Sequence, residues 1–297
     1  MEHAAAHGGT GGNRSATLYV VATPIGNLGD IGLRALETLR GVEAVAAEDT
    51  RVTRRLLAHH GIVKRLIPVH EHNERRAVDG VLALLRAGRS VALTCDAGTP
   101  AISDPGAALV AAARAAGFQV TPVPGPSAAI AALSVCGLAA PHHLFYGFLP
   151  ARAAARCREI SALVHLPFTL VFFEAPHRVV ECVADLRAVL GGARRIVIAR
   201  ELTKLFESVH ACTLAEAGAW LAADADRRRG EFVLIVEGAV ETRGAEDVGE
   251  PVLAALLSEL PLRRAVDLAA RITGGRKNEL YRRALAMQRK ALPSRSR

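Results

Sequence analysis

Short apolar runs recur through the first half of the chain, and each is followed by a helical pattern or by a loop rich in glycine and proline. Residues 18–22, 44–47, 91–95 and 118–123 read as strands, and the run Val-Ala-Leu-Thr-Cys at 91–95 is apolar on both faces. A strand without a polar face has to be covered by helices on both sides, which is the condition of a parallel sheet in an α/β fold. The intervening segments supply such helices. Val78, Val81, Leu82 and Leu85 follow i, i+3, i+4, i+7 spacing. Asp30 is placed to cap a helix carrying Leu33, Leu36 and Leu39 on one side, and a further helix is expected over 105–116 with Pro105 near its first turn. Three loops, at Thr23-Pro24-Ile25-Gly26-Asn27, at Asp96-Ala97-Gly98-Thr99-Pro100 and at Pro124-Gly125-Pro126-Ser127, follow three of the strands. In parallel sheets the ligand crevice lies beyond the carboxyl ends of the strands, where these loops fall.

The second half repeats the alternation. Strands are expected over 168–173, 195–199, 207–212 and 231–236, with a helix from Pro176 that turns Val179, Val183, Leu186 and Leu190 inward. The organisation expected is a disordered leader over 1–16, an N-terminal α/β domain over 17–138, a C-terminal α/β domain over 139–240, an acidic linker over 241–250 and a basic helical tail over 251–297. Within the tail, helices over 262–273 and 277–288 meet at Gly274-Gly275, as in a helix-turn-helix or αα-hairpin.

Several classes are excluded. With 51% apolar residues the 297-residue chain can bury a core, so it is not a disordered protein. Its five cysteines are odd in number and form no CxxC pair, which argues for buried thiols in a reducing, cytoplasmic setting and against a cysteine zinc site. The uncharged stretch 115–151 is broken by Pro122, Pro124, Pro126 and Pro141, and its 14-residue proline-free part (127–140) is too short to span a bilayer. It reads as a buried, alanine-rich core helix. The Gly-rich leader has no apolar segment of a secretory signal, and no GxGxxG or phosphate-loop sequence occurs. The formal charge of +8 is unevenly placed: residues 263–297 hold eleven Lys or Arg against Asp267 and Glu279, while the preceding chain is nearly balanced. A cationic tail of this kind points to a polyanionic partner such as nucleic acid, or serves as a solvated face.

The strings themselves carry more. Leu-Tyr-Val-Val-Ala-Thr-Pro-Ile-Gly-Asn-Leu-Gly-Asp-Ile (18–31), Ala-Glu-Asp-Thr-Arg (47–51), His-Glu-His-Asn-Glu (70–74), Asp-Ala-Gly-Thr-Pro-Ala-Ile-Ser-Asp-Pro-Gly (96–106), Pro-Gly-Pro-Ser-Ala (124–128) and Gly-Phe-Leu-Pro (147–150) come in order. They continue with Phe-Phe-Glu-Ala-Pro-His-Arg (172–178), Ala-Arg-Glu-Leu-Thr-Lys (199–204) and Arg-Arg-Gly-Glu-Phe-Val-Leu-Ile-Val-Glu-Gly (228–238). Over about residues 17–290 the chain resembles the ribosomal RNA small subunit methyltransferase I family of the tetrapyrrole-methylase superfamily. The resemblance implies two α/β domains with S-adenosylmethionine in the cleft between them, a homodimer, no metal and no membrane partner. It also implies methylation of a cytidine 2′-hydroxyl in the decoding region of 16S ribosomal RNA.

Carried over position by position, the resemblance puts Pro24, Ile25 and Gly26 of the first loop, Asp96, Gly98 and Thr99 of the second, and Ser127 and Ala128 of the third at the cofactor. It adds Glu174, Ala175 and Leu202 from the second half. Asp96 is read either as a ligand acceptor or as an ordinary turn aspartate. A ribose hydroxyl needs a proton acceptor, for which Glu48 and His70, each following a strand, are the candidates; Asp49, His72, Glu174 and Glu201 are further carboxylates and imidazoles near the loops. Arg51, Arg178, Arg200 and Lys204 are placed to hold phosphates or orient a carboxylate. In the tail, Arg263, Arg264, Arg276, Lys277, Arg282 and Arg283 are the expected RNA contacts. Two other functions share parts of this pattern: a tetrapyrrole methyltransferase with the same donor, and a non-catalytic RNA-binding assembly factor on the same fold.

Overall fold

The computed structural model describes residues 16–70, 74–138, 141–239 and 249–291. Chain contacts divide it after Gly238 into one unit with two sheets and one C-terminal helical unit.

The first sheet is built from β1 (Thr17–Val21), β2 (Ala44–Ala47), β3 (Arg65–Pro68), β4 (Val91–Thr94) and β5 (Gln119–Val123), in the order β3-β2-β4-β1-β5. Every pairing in it is parallel, with Leu18 opposite Val91 and Thr17 opposite Gln119. The helices α1 (Leu33–Gly41), α2 (Thr50–His59), α3 (Glu74–Arg86) and α4 (Ala107–Ala115) make the crossovers, and α5 (Ala128–Val135) leaves β5. β2 and β4 are buried along their whole length because both faces are covered. Leu18, Leu93, Val81, Leu85 and Leu109 form one layer; Val21, Val45, Ala92, Leu39 and Leu57 form the other.

Three local expectations change. Asp30 does not cap α1: it closes a single 3-10 turn over Leu28–Asp30, and Gly32 stands at the helix start without a side-chain cap. Starting α1 at Leu33 turns Ala35 and Leu39 to the core and leaves Leu33 exposed. The alanine-rich stretch gives only the eight residues of α5, which bury Ala129 and Ala132 while Ile130 and Val135 face outward. Residues 1–15 of the expected leader lie outside the described residues, and Ala16 is already part of the core.

The second sheet is built from β6 (His143–Phe148), β7 (Thr169–Glu174), β8 (Arg195–Arg200), β9 (Ser208–Thr213) and β10 (Phe232–Val236), with α6 (Ala153–Leu163), α7 (Val179–Leu190) and α8 (Leu214–Ala222) between them. The order is β6-β7-β10-β8-β9. Only β6 and β7 run parallel; β10 is antiparallel to both its neighbours, and β9 to β8. Leu170, Phe172, Ile198 and Leu234 meet Ile160 of α6 and Leu186 of α7 on one face. On the other face Val171, Val197, Val233 and Ile235 meet Ala129 and Ala132 of α5. The last helix of the first sheet thereby packs on the second, and its small alanines let the helix approach the strands closely.

The C-terminal unit holds α9 (Gly249–Glu259), α10 (Leu262–Thr273) and α11 (Lys277–Ala291) around Leu253, Val266, Ala269, Leu280 and Ala284. Gly274 ends α10 in the left-handed region at φ 69°, with its N–H donating to Ala270 O, a conformation that favours glycine. Most of the expected linker, residues 241–248, lies outside the described residues, as does residue 240 before it. Among the described residues no helix is long and apolar enough to cross a membrane.

Candidate active site

Three loops leave the carboxyl ends of β1, β4 and β5, and hydrogen bonds hold them to one another. Thr23 and Gly98 exchange both backbone bonds, at 2.8 and 3.1 Å, and Thr23 Oγ1 donates to Cys95 O at 3.1 Å. Thr99 Oγ1 donates to Pro126 O at 3.3 Å, joining the second loop to the third. Gly98 has φ 82°, which lets the second loop turn under Ile25.

These loops face the second sheet across a cavity of about 410 Å³, within the usual range for a small-molecule site. Of the positions expected at the cofactor, Ile25, Gly98, Thr99, Ser127, Ala128, Glu174, Ala175 and Leu202 line it. Ile102, Phe145, Phe173, Phe232 and Val233 supply much of the apolar wall, and Ser103 and Asp104 join them from the second loop. None of these seven was singled out from the sequence. The Phe-Phe-Glu-Ala and Arg-Arg-Gly-Glu-Phe-Val strings contained three of them, and only the loop path shows that Ser103 and Asp104 turn inward.

Pro24, Gly26 and Asp96 are not in the cavity wall. Pro24 is buried within the first loop. Gly26 is pressed against the segment after β8: a Cβ there would stand 2.5 Å from Lys204 Cγ and 3.0 Å from Leu202 O. Asp96 neither faces the cavity nor caps a helix. Its Oδ1 accepts from Asp49 N at 3.0 Å, and its own N–H donates to Glu48 Oε2 at 3.3 Å, so Glu48 and Asp96 clasp the loops after β2 and β4 together. Burial, with the charges of Asp104, Asp96 and Asp49, pushes the Glu48 carboxyl up, and burial with the Asp49 charge does the same to Asp96. Asp49 caps α2 through Arg51 N and pairs with the Arg51 guanidinium, which holds its carboxyl down at about 2.

Glu48 and His70, the two expected proton acceptors, both lie outside the cavity wall. For His70 the reason is strand order. It is exposed beyond β3, an edge strand separated from β4 by β2, and each strand step is about 4.8 Å. His72 lies outside the described residues. Glu174 reaches the wall, yet its carboxylate is turned to Arg178, at 3.1 Å, and to Ala175 N, at 2.8 Å. Arg200 spends its guanidinium on Phe206 O, Asp226 O and Arg229 O, and Lys204 ties Glu201 to Glu231. These cations shape the loops.

Among the described residues, four non-glycine residues have positive φ: Ala101 (64°), Ser103 (66°), Glu201 (52°) and Thr203 (66°). All four sit in the two loops that bring Ile102, Asp104 and Leu202 to the cavity. Left-handed non-glycine residues cost of order 1–3 kcal/mol each and concentrate at ligand sites.

The tail candidates divide. Lys277 pairs with Asp267 and so ties α11 to α10, and Arg283 pairs with Glu279 one turn away within α11 at 3.3 Å. Arg263, Arg264, Arg276 and Arg282 are exposed.

Comparison with known proteins follows this division of the chain. Residues 17–218 match the Tetrapyrrole (Corrin/Porphyrin) Methylases family, and residues 243–288 match the RsmI C-terminal HTH domain. Ribosomal RNA small subunit methyltransferase I of Pseudomonas aeruginosa is 52% identical over 280 residues, covering 93% of this chain and 99% of that one. The chain belongs to the ribosomal RNA small subunit methyltransferase I family. The Escherichia coli O157:H7 member is 48% identical, covering 93% and 97%. Family membership makes the chain a methyltransferase with S-adenosylmethionine as its donor. Cobalt precorrin-4 methyltransferase (TM-score 0.59, 16% identity, 77% of this chain and 97% of that one) and diphthine synthase (TM-score 0.59, 18% identity, 75% and 90%) share the fold. So does a uroporphyrin-III C-methyl transferase from Thermus thermophilus in complex with S-adenosyl homocysteine (TM-score 0.54, 18% identity, 75% and 97%).

Proposed function

We propose that the cavity between the two sheets holds S-adenosylmethionine and that the acceptor is the 2′-hydroxyl of a cytidine in 16S ribosomal RNA. The observation that carries this reading is a donor-sized, apolar cavity opening beside an exposed aromatic side chain, in a chain whose relatives are named for the small-subunit RNA.

The residues present suit the donor. Ile25, Phe145, Phe173 and Val233 offer apolar surface to an adenosyl group. Ser127 begins α5 without a side-chain cap bond, and Ala128 and Ala129 of its first turn, where N–H groups lack intrahelical acceptors, line the cavity. Ser103 and Thr99 add hydroxyls at the wall. When bound, the donor supplies an activated methyl on a cationic sulfur. The chain's part is to fix that methyl in line with the incoming oxygen, to exclude water and to accept the hydroxyl proton.

Phe148 is 53% exposed at the cavity wall and meets Phe173 edge-on at 5.7 Å. An exposed aromatic face there suits a base extruded from its stack, which brings its ribose to the rim. The exposed arginines of α10 and α11 supply non-sequence-specific grip on phosphates. A homodimer is part of the same reading.

The test is methyl incorporation from labelled S-adenosylmethionine into small subunits lacking the modification, against subunits carrying 2′-deoxycytidine at the target. Incorporation into the first alone is expected. Equal incorporation into the deoxy target rejects the 2′-hydroxyl as acceptor.

A further inference from the structure

Three acidic residues line the cavity: Asp104, Glu174 and Glu231. Glu174 is committed to Arg178 and to Ala175 N. Glu231 is largely exposed and paired with Lys204 at 2.9 Å. Asp104 is half-buried, and no Lys or Arg among the described residues pairs with it. Its polar neighbour is the Cys95 thiol, a weak donor that also lies 3.3 Å from Ala97 O and 3.4 Å from Gly98 O.

The ordinary role for an aspartate ahead of Pro-Gly at a helix start is capping. Here the first residue before α4 is Gly106, and it makes no side-chain cap bond. The backbone instead carries Asp104 to the cavity wall, with its carboxylate beside the Cys95 thiol. Ser103 immediately before it has φ 66°, and Gly106 two residues later has φ 122° with Leu93 packed against it. A half-buried carboxylate with a weak thiol donor and neither a cation nor a cap gains little for the fold, which is the pattern of a group kept for chemistry.

The geometry points to Asp104 as the catalytic residue that takes the proton from the attacking ribose hydroxyl. This assignment rests on the reading of the cavity given above. In the step, the O–H proton passes to a carboxylate oxygen of Asp104 and the oxygen lone pair forms the new O–CH3 bond. The S–CH3 bond breaks with its electron pair left on sulfur, so a neutral thioether departs. Asp104 then returns its proton to water. Burial and the Asp96 charge raise the Asp104 carboxyl above its ordinary value, which makes the carboxylate a stronger base. The titratable groups around it are Cys95 at the end of β4, Asp96 on the same loop and Glu48 after β2.

The experiment compares full-length wild type with Asp104→Asn and Asp104→Glu. Asp104→Asn is expected to lower kcat by about 10²- to 10⁴-fold. Calorimetric affinity for S-adenosylhomocysteine, which has no sulfonium charge, is expected to stay near that of wild type. The Tm of Asp104→Asn at neutral pH is expected to equal or exceed that of wild type, because an uncompensated charge is removed. Wild-type kcat/KM should fall on the acid side with an apparent pKa above the usual aspartate range, Asp104→Glu should keep that limb with reduced kcat, and Asp104→Asn should lose it. The assignment is overturned if wild type methylates only the 2′-hydroxyl target and Asp104→Asn keeps its kcat and its acid limb. It is also overturned if Asp104→Asn loses S-adenosylhomocysteine binding and Tm together, since that marks a structural residue. A wild type that fails on the 2′-hydroxyl target, or succeeds equally on the deoxy one, overturns the underlying reading instead.

Discussion

Adding one methyl group at Gly26 tests how tightly the two halves of the site are locked. A Cβ built there lies 2.5 Å from Lys204 Cγ, 2.8 Å from Thr203 Oγ1 and 3.0 Å from Leu202 O. The first contact is about 1 Å inside the ~3.5 Å at which carbon atoms rest. Gly26 is not in the left-handed region, so contact alone carries the penalty. Lys204 cannot retreat, because its Nζ is held by Glu201 Oε1 at 2.7 Å and Glu231 Oε2 at 2.9 Å. The segment 201–204 has to move as a piece and take Leu202 out of the cavity wall. Overpacking of this kind costs about 1–3 kcal/mol. If the free protein relaxes by opening the loop, that cost appears in donor binding as a loss of roughly 5- to 150-fold. Calorimetry of Gly26→Ala with S-adenosylhomocysteine, together with a melting curve, reads both routes. Gly80→Ala is the control: nothing lies within 4 Å of its Cβ, and in the interior of α3 alanine should stabilise by about 0.5–1 kcal/mol without touching binding. An unchanged Kd and Tm for Gly26→Ala would refute the locking argument.

Other outcomes follow from the same structure. Replacing Arg263, Arg264, Arg276 and Arg282 together by Gln should weaken RNA binding and reduce the slope of log K against log salt by roughly 3, at about 0.7–0.9 per phosphate contact, with helicity by circular dichroism unchanged; an unaltered slope removes these four from the interface. Phe148→Ala should raise KM for RNA by the equivalent of about 1–3 kcal/mol of lost stacking, while leaving S-adenosylhomocysteine affinity near wild type; an unchanged KM places the base elsewhere. Arg156 is 1% exposed and bonded to Asp185 at 2.7 Å, so Asp185→Ala strands a buried guanidinium and should cost about 3 kcal/mol in denaturant unfolding, with Glu181 at 3.7 Å the nearest remaining carboxylate. A loss below about 1 kcal/mol would show that Glu181 or water replaces the lost partner.

The parallel sheet was readable because its strands carry an unambiguous signal. Ala44–Ala47 and Val91–Thr94 have no polar face, and the loops after β1, β4 and β5 are punctuated by Gly and Pro. The direction of strands in the second sheet was not readable, because Leu170–Phe172 and Phe232–Val236 are buried on both faces whichever way a neighbour runs. β6 escaped notice because it begins at His143 and its register shifts between Phe145 and Gly147, which interrupts the alternation. In the site, family strings located the loops but not the side chains that turn inward. Asp96 and Asp104 look alike in Asp-Ala-Gly-Thr-Pro-Ala-Ile-Ser-Asp-Pro-Gly. Positive φ values at Ala101 and Ser103, which no glycine announces, shape the loop that brings Asp104 to the cavity wall, while Asp96 stays beside Asp49. Glu48 and His70 were reasonable from strand-end position alone; the strand order that separates β3 from β4 is a property of the whole sheet.

β10 occupies the middle of the second sheet although it is the last strand of that sheet to be synthesised. While the ribosome is still translating residues before Phe232, β7 and β8 have no partner along the edges that β10 later fills, and both present unpaired backbone N–H and C=O groups on strands of mostly apolar side chains. The nascent enzyme therefore passes through a stage that invites sticking to other chains, and it gains the Phe232 and Val233 wall of its pocket in one late insertion. Fragments ending ahead of that strand should collect as aggregates, whereas those reaching Gly238 should yield a folded body able to bind donor.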